Sequence, residues 1–131
     1  MKKLIFYLLL LALISCSNSP KELAGIWEVK SPFYKAIYSI EDQNDKMVGK
    51  ILYYNDDTYI YRETGTKKDV FLHQLEKKGD LYIDAISGAT ISKKGITLKL
   101  IGKDTLEVTS YIRNNPLKEF WIKKTNYNEH Y

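Results

Sequence analysis

Nine short segments rich in β-branched and aromatic residues, cut by turn chemistry at roughly ten-residue intervals, restrict this chain to an antiparallel all-β fold. The segments run over 24–30, 34–41, 47–55, 58–63, 70–76, 81–86, 95–101, 105–112 and 117–124. Between them lie Asp42 to Lys46, Asn55-Asp56-Asp57, Thr64-Gly65-Thr66, Lys78-Gly79-Asp80, Ser87-Gly88, Gly102-Lys103-Asp104 and Asn114-Asn115-Pro116, all residues that favour tight turns. Loops this short connect antiparallel neighbours, because a parallel crossover needs a dozen residues or more. No long helical period, low-complexity tract or repeated unit interrupts the pattern.

Several segments alternate. Trp27 and Val29 are set against Glu28 and Lys30, Leu98 and Leu100 against Thr97 and Lys99, and Leu106 and Val108 against Glu107 and Thr109. One face of the sheet is therefore buried and the other wet. About a hundred residues of such strands hide their apolar face by pairing two sheets or by curling one sheet closed. The pattern alone leaves sandwich and barrel both open.

The N-terminus carries a different signal. Lys2-Lys3 is followed by an unbroken apolar run from Leu4 to Ile14 and then by Ser15-Cys16, with Leu13-Ile14-Ser15-Cys16 at its end. This run resembles the lipobox of bacterial lipoproteins. The resemblance implies a signal segment over 1–15, removed after Cys16 is acylated, and a lipidated tether over 16–22. An apolar run of this length is too short for a permanent transmembrane helix, which needs about 20 residues. Cys16 is the single cysteine of the chain, so no intrachain disulfide can form. Ser17 after the cysteine resembles lipoproteins sorted to the outer membrane rather than the inner. The expected location is thus the bacterial cell envelope, lipid-anchored.

Removal of 1–15 takes Lys2 and Lys3 with it and lowers the net charge from +4 to +2. A nucleic-acid partner is not implied, and the lysine pairs at 67–68, 77–78, 93–94 and 123–124 read as solvated turn ends. The 116 residues from Cys16 to Tyr131 fit one domain. It spans 23–124, with a polar tail over 125–131.

Leu23-Ala24-Gly25-Ile26-Trp27 resembles the G-x-W signature on the first strand of lipocalins and related up-and-down barrels, where the tryptophan plugs the closed end. Order and spacing further along resemble a lipocalin-like family of bacterial envelope proteins: Tyr34 to Ile40, Gly49-Lys50-Ile51, Asp69-Val70-Phe71-Leu72, Leu106-Glu107-Val108 and Phe120-Trp121-Ile122-Lys123. The resemblance implies an all-β, antiparallel up-and-down lipocalin-like β-barrel of about eight or nine strands. In lipocalins a cationic residue of the last strand stacks on the signature tryptophan. Lys123 matches that position, giving Gly25, Trp27 and Lys123 as the barrel-closing set. Lysine stands where arginine is usual there, and an ammonium stacks less well than a guanidinium.

A barrel of eight or so strands encloses one small ligand or a filled core. Ten tyrosines follow Cys16, and a ring with one polar tip suits a pocket for a partly polar apolar ligand as well as it suits an ordinary strand surface. Tyr38, Tyr53, Tyr59, Tyr61 and Tyr82 are the candidate ligand residues. Tyr53-Tyr54 and Tyr59-Ile60-Tyr61 are the expected mouth, or an exposed docking patch.

Asp84 to Ser92 points to another class. The run resembles the flavinylation site of FMN-binding domains, D-x-x-S-G-A-T-x-T, which implies covalent FMN on the Thr90 hydroxyl with Asp84, Ser87, Gly88 and Ala89 around it. Two features depart from that pattern: Ser92 replaces the final threonine, and the following residues, Ile96 to Leu100, read as strand rather than helix. The same residues also make a good connection between strands. His73 and His130 are the only histidines, too few for a zinc site or a Ser-His triad.

The expectation is a non-catalytic envelope lipoprotein with no cofactor. Its partners are the membrane, through the lipid, and a small apolar or amphipathic ligand or an envelope protein. A flavinylated electron carrier and a structural lipoprotein docking through a tyrosine-rich strand are the alternatives.

Overall fold

The computed structural model describes residues 20–86 and 95–125. Among these residues ten strands form one antiparallel sheet: β1 (Gly25–Lys30), β2 (Lys35–Gln43), β3 (Lys46–Asn55), β4 (Ile60–Arg62), β5 (Val70–Leu72), β6 (Leu75–Lys78), β7 (Leu81–Asp84), β8 (Thr97–Ile101), β9 (Thr105–Ile112) and β10 (Asn115–Lys124). Neighbours in the sheet are neighbours in sequence, except that β1 also pairs with β10 and β5 pairs with β3. The pairing of first strand with last curls the meander into an open, up-and-down lipocalin-like half-barrel. Among the described residues no ladder joins β3 or β5 to β6, and along this seam β3 and β6 touch without pairing.

Turn chemistry sets the hairpins. Asn44 and Asp45, at φ 53° and 64°, link β2 to β3, and Arg113 and Asn114, at 50° and 65°, link β9 to β10. Two central residues with positive φ make the turn whose twist matches that of paired strands. The second turn therefore lies one residue earlier than Asn114-Asn115-Pro116, and Pro116 stands inside β10 opposite Tyr111. The pair beside a two-residue turn exchanges both hydrogen bonds, so the next pair does not. The missing N–H of Pro116 faces the side where β1 has already ended.

The segment expected as one strand over 70–76 is broken at His73–Gln74. Both backbone N–H groups of that step donate to the buried Asp84 carboxylate, at 2.9 and 3.2 Å, and Gln74 O accepts from Ala85 N at 2.8 Å. The ladder cannot continue through a step whose donors are already engaged. The chain crosses from the β3 side of the seam to β6 at this point.

Inward residues follow a period of two: Trp27 and Val29 on β1, Ala36, Tyr38 and Ile40 on β2, Leu106 and Val108 on β9, and Trp121 on β10. Gly49 of β3 is needed at its site, since a Cβ there would stand 2.8 Å from Leu72 Cδ1. A bulge in β3, where Tyr38 pairs with Ile51 but Ile37 with Tyr53, then inserts Leu52. One extra residue reverses the facing of every position beyond it. Tyr54 packs into the main core, while Tyr53 joins Ile37 and Leu52 on the outer face.

Candidate functional site

One end of the barrel is closed. Lys21–Leu23 forms a short 3-10 turn below the strands, with Leu23 fully buried, so that part of the expected tether belongs to the domain. Trp27, also fully buried, donates its indole N–H to Leu23 O at 2.9 Å. Lys123 lies directly across the ladder from Trp27 and holds its ammonium 5.4 Å from the ring centroid. Gly25 admits the lysine stem, because a Cβ there would be 2.6 Å from Lys123 Cε. The structure brings Gly25, Trp27 and Lys123 into one contact set. Tyr82 also reaches this end: its hydroxyl donates to Glu22 at 2.6 Å, and burial followed by that bond pushes it up to about 12.

The other end is lined differently. Glu119 shares the inward parity of Trp121 and Lys123 on β10, two residues from Trp121 toward the opposite end. Its carboxylate accepts from the Tyr34 hydroxyl and, at 3.4 Å, from the Trp121 indole. Tyr34 and Tyr54 rings lie 5.3 Å apart, and Tyr38 lies 4.8 Å from Phe71 and 4.7 Å from Trp121. Burial, then the bond to Glu119, holds the Tyr34 phenol well above the usual tyrosine range. Burial, then the negative charge of Glu119, raises Tyr38, and burial, then the bond to Asp56, raises Tyr54. All three phenols are thereby kept neutral, and those of Tyr34 and Tyr54 donate to carboxylates. Deeper in, Trp121 is nearly fully buried and Tyr38 largely so, whereas Tyr34, Tyr54 and Glu119 are half-exposed. The cluster is a packed aromatic floor with a carboxylate and two phenols at its upper surface.

The five tyrosines proposed from sequence do not converge. Tyr38 stands in this cluster, and exposed Tyr59 flanks it with its ring 6.4 Å from that of Tyr54. Tyr53 sits on the outer face under the Arg62 guanidinium, 5.6 Å from its ring centroid. Tyr61 donates to Asp69 at 2.6 Å, and Tyr82 belongs to the closed end. Glu119 and Tyr34 escaped the sequence reading, although the shared parity of Glu119, Trp121 and Lys123 was a usable signal for an inward carboxylate.

Of the run that resembles a flavinylation site, Asp84 is described. It is buried, and its carboxylate accepts from the backbone of His73, Gln74 and Ile86, the last at 3.0 Å. Ser87, Gly88, Ala89 and Thr90 lie outside the described residues, as does Cys16. Among the described residues no group of three or more His, Cys, Asp or Glu side chains is placed to hold a metal ion. No described helix is long and apolar enough to cross a membrane. Comparison of the chain with protein-family models, with curated proteins and with solved structures finds no match.

Proposed function

We propose that this chain is a lipid-anchored protein of a bacterial cell envelope, expected at the outer membrane, that binds a small amphipathic ligand at the open end of its barrel without transforming it. The observation that carries the reading is the polarity of the barrel. One end is plugged by Trp27 and Leu23, while the other presents the half-exposed Tyr34, Tyr54 and Glu119 above a floor of Tyr38, Phe71 and Trp121. Aromatic walls with a few converging polar groups are the usual lining of a ligand site. The described chain begins at the plugged end, so a lipid on Cys16 would hold that end toward the membrane and turn the aromatic end away from it.

Two measurements test the reading. Intact mass of the protein extracted from its native membrane should equal residues 16–131 plus acyl groups; an increment of one FMN less water would replace this function with electron transfer on Thr90. Titration with a neutral fluorescent naphthylamine should saturate and should quench in the variant Trp121→Phe less than in the wild type. A linear, unsaturable signal would leave a filled barrel with no ligand role.

A further inference from the structure

The carboxylate at the aromatic end takes part in no ion pair among the described residues. Glu119 accepts from the Tyr34 hydroxyl and, at 3.4 Å, from the Trp121 indole; the Tyr54 ring lies 5.3 Å from that of Tyr34 and the Tyr38 ring 4.7 Å from that of Trp121, and, after burial, the carboxylate charge raises all three phenols. Yet among the described residues no lysine, arginine or histidine lies within ion-pair range of it. The cations of the neighbouring strands are turned outward by the same period of two. Lys118 lies 3.4 Å from Glu107, Arg62 covers Tyr53 on the outer face, and Lys30 and Lys124 lie 4.0 and 3.5 Å from Glu28. The second acid at this end, Asp56, accepts a 3.2 Å bond from the Tyr54 hydroxyl.

A half-buried carboxylate beside π faces, with its counter-cations excluded, is complementary to a positive ligand. An ammonium is attracted both by the charge and by the negative faces of aromatic rings, and the attraction grows as water is removed. An anionic amphiphile at the same place would meet Glu119 and Asp56 with like charge. Resting on the ligand reading above, and narrowing it, we infer that the open end selects an organic cation, an ammonium carried on an apolar body. The head would lie against Glu119, Tyr34 and Tyr54. The body would extend along Tyr59 and Phe33, which are 58% and 79% exposed at the rim.

The test uses residues 16–131 carrying Cys16→Ser, which removes both the acyl chains and the apolar 1–15 segment and leaves every described residue unchanged. Tryptophan fluorescence is titrated with decyltrimethylammonium, decanol and decanoate, all below their aggregation concentrations. The ammonium should bind about tenfold tighter than the alcohol, and the carboxylate more weakly than either. Glu119→Gln should abolish the preference for the ammonium over the alcohol, and a circular dichroism spectrum matching the wild type shows that the variant is folded. Flotation with phosphatidylcholine and phosphatidylglycerol vesicles separates the sources. Choline-headed vesicles that bind, and release the Glu119→Gln variant, would place the cation on a lipid headgroup; soluble binding alone would make it a free amine. Decanoate binding as tightly as the ammonium, or an ammonium preference that survives Glu119→Gln, would overturn the inference. Equal binding of all three would overturn the cation but keep the ligand site, and binding of none would remove both.

Discussion

Lys123 places its ammonium 5.4 Å from the centre of the Trp27 ring while its Cε runs past the bare Cα of Gly25. The two ends of the domain thus form one closure, made by the pairing of the first strand with the last. The stem covers the gap that a side chain on residue 25 would fill, and the charged tip sits on the ring.

Trp27→Ala should therefore cost about 3–5 kcal/mol, the usual loss for a buried large aromatic. For a domain of this size that lowers Tm by roughly 15 °C or more, readable by circular dichroism. Gly25→Ala should also be destabilising, because residue 25 has φ 149° and the new methyl would collide with Lys123. Lys123→Met keeps the stem and removes the charge, and should cost only about 0.5–1 kcal/mol.

Asp69 sets the turn between β4 and β5. Burial opposes its ionisation, but bonds from Tyr61 and from the backbone and hydroxyl of Thr64, with a further bond from Gly65 N, outweigh this and hold its carboxyl down at about 2 against an ordinary 3.8. A folded pKa below the unfolded one contributes stability above the unfolded value and loses it as pH falls. The wild type should thus lose Tm steeply between about pH 4 and pH 2. Asp69→Asn should melt lower at pH 7, by about 1–3 kcal/mol, and show a shallower acid slope; an unchanged slope would mean that Asp69 does not drive the acid transition.

Asp84 fastens the only described covalent crossing of the seam. Asp84→Ala leaves the N–H groups of His73, Gln74 and Ile86 without that acceptor, at about 1–3 kcal/mol. Hydrogen exchange at 73–75 and 84–86 should speed up more than exchange in β1, β2 and β10. Uniform acceleration would place the effect on global stability instead.

The β3 bulge separates the roles of adjacent tyrosines. Tyr54→Ala should weaken decyltrimethylammonium binding about tenfold, because its ring lies in the cluster with Tyr34. Tyr53→Ala should lower Tm, since Tyr53 is buried on the outer face, and leave that binding unchanged. Equal losses in binding would contradict the assignment of the two rings to opposite faces.

Asp45 occupies the second central position of a two-residue turn at φ 64°. Glycine adopts positive φ without steric cost, and Asn-Gly is the preferred pair for such a turn. Asp45→Gly should raise Tm by a few degrees, an increment on the order of 0.5–1 kcal/mol. A lower Tm would show that the aspartate makes a compensating contact.

Strand positions were legible in the sequence because they depend on local chemistry. Thr105–Ile112 was delimited to the residue by the alternation of Leu106 and Val108 with Glu107 and Thr109, and by glycine- and asparagine-rich turns on either side. The same period of two, unused for β10, would have carried Glu119 to the inner face with Trp121 and Lys123. What local chemistry could not provide was anything that depends on a distant partner. Strict alternation from Met47 through Gly49 and Ile51 sends Tyr53 inward; the bulge set by pairing with Ile37 and Tyr38 sends Tyr54 inward instead. The run Val70-Phe71-Leu72 with Leu75 makes 70–76 read as one strand until Asp84, eleven residues away from His73, takes its backbone donors. Residue order and local chemistry were enough for an antiparallel meander with one wet and one apolar face. Where the sheet closes, where it breaks and which tyrosine meets Glu119 were settled in three dimensions, because each is a hydrogen bond or contact between residues that the chain brings together only on folding.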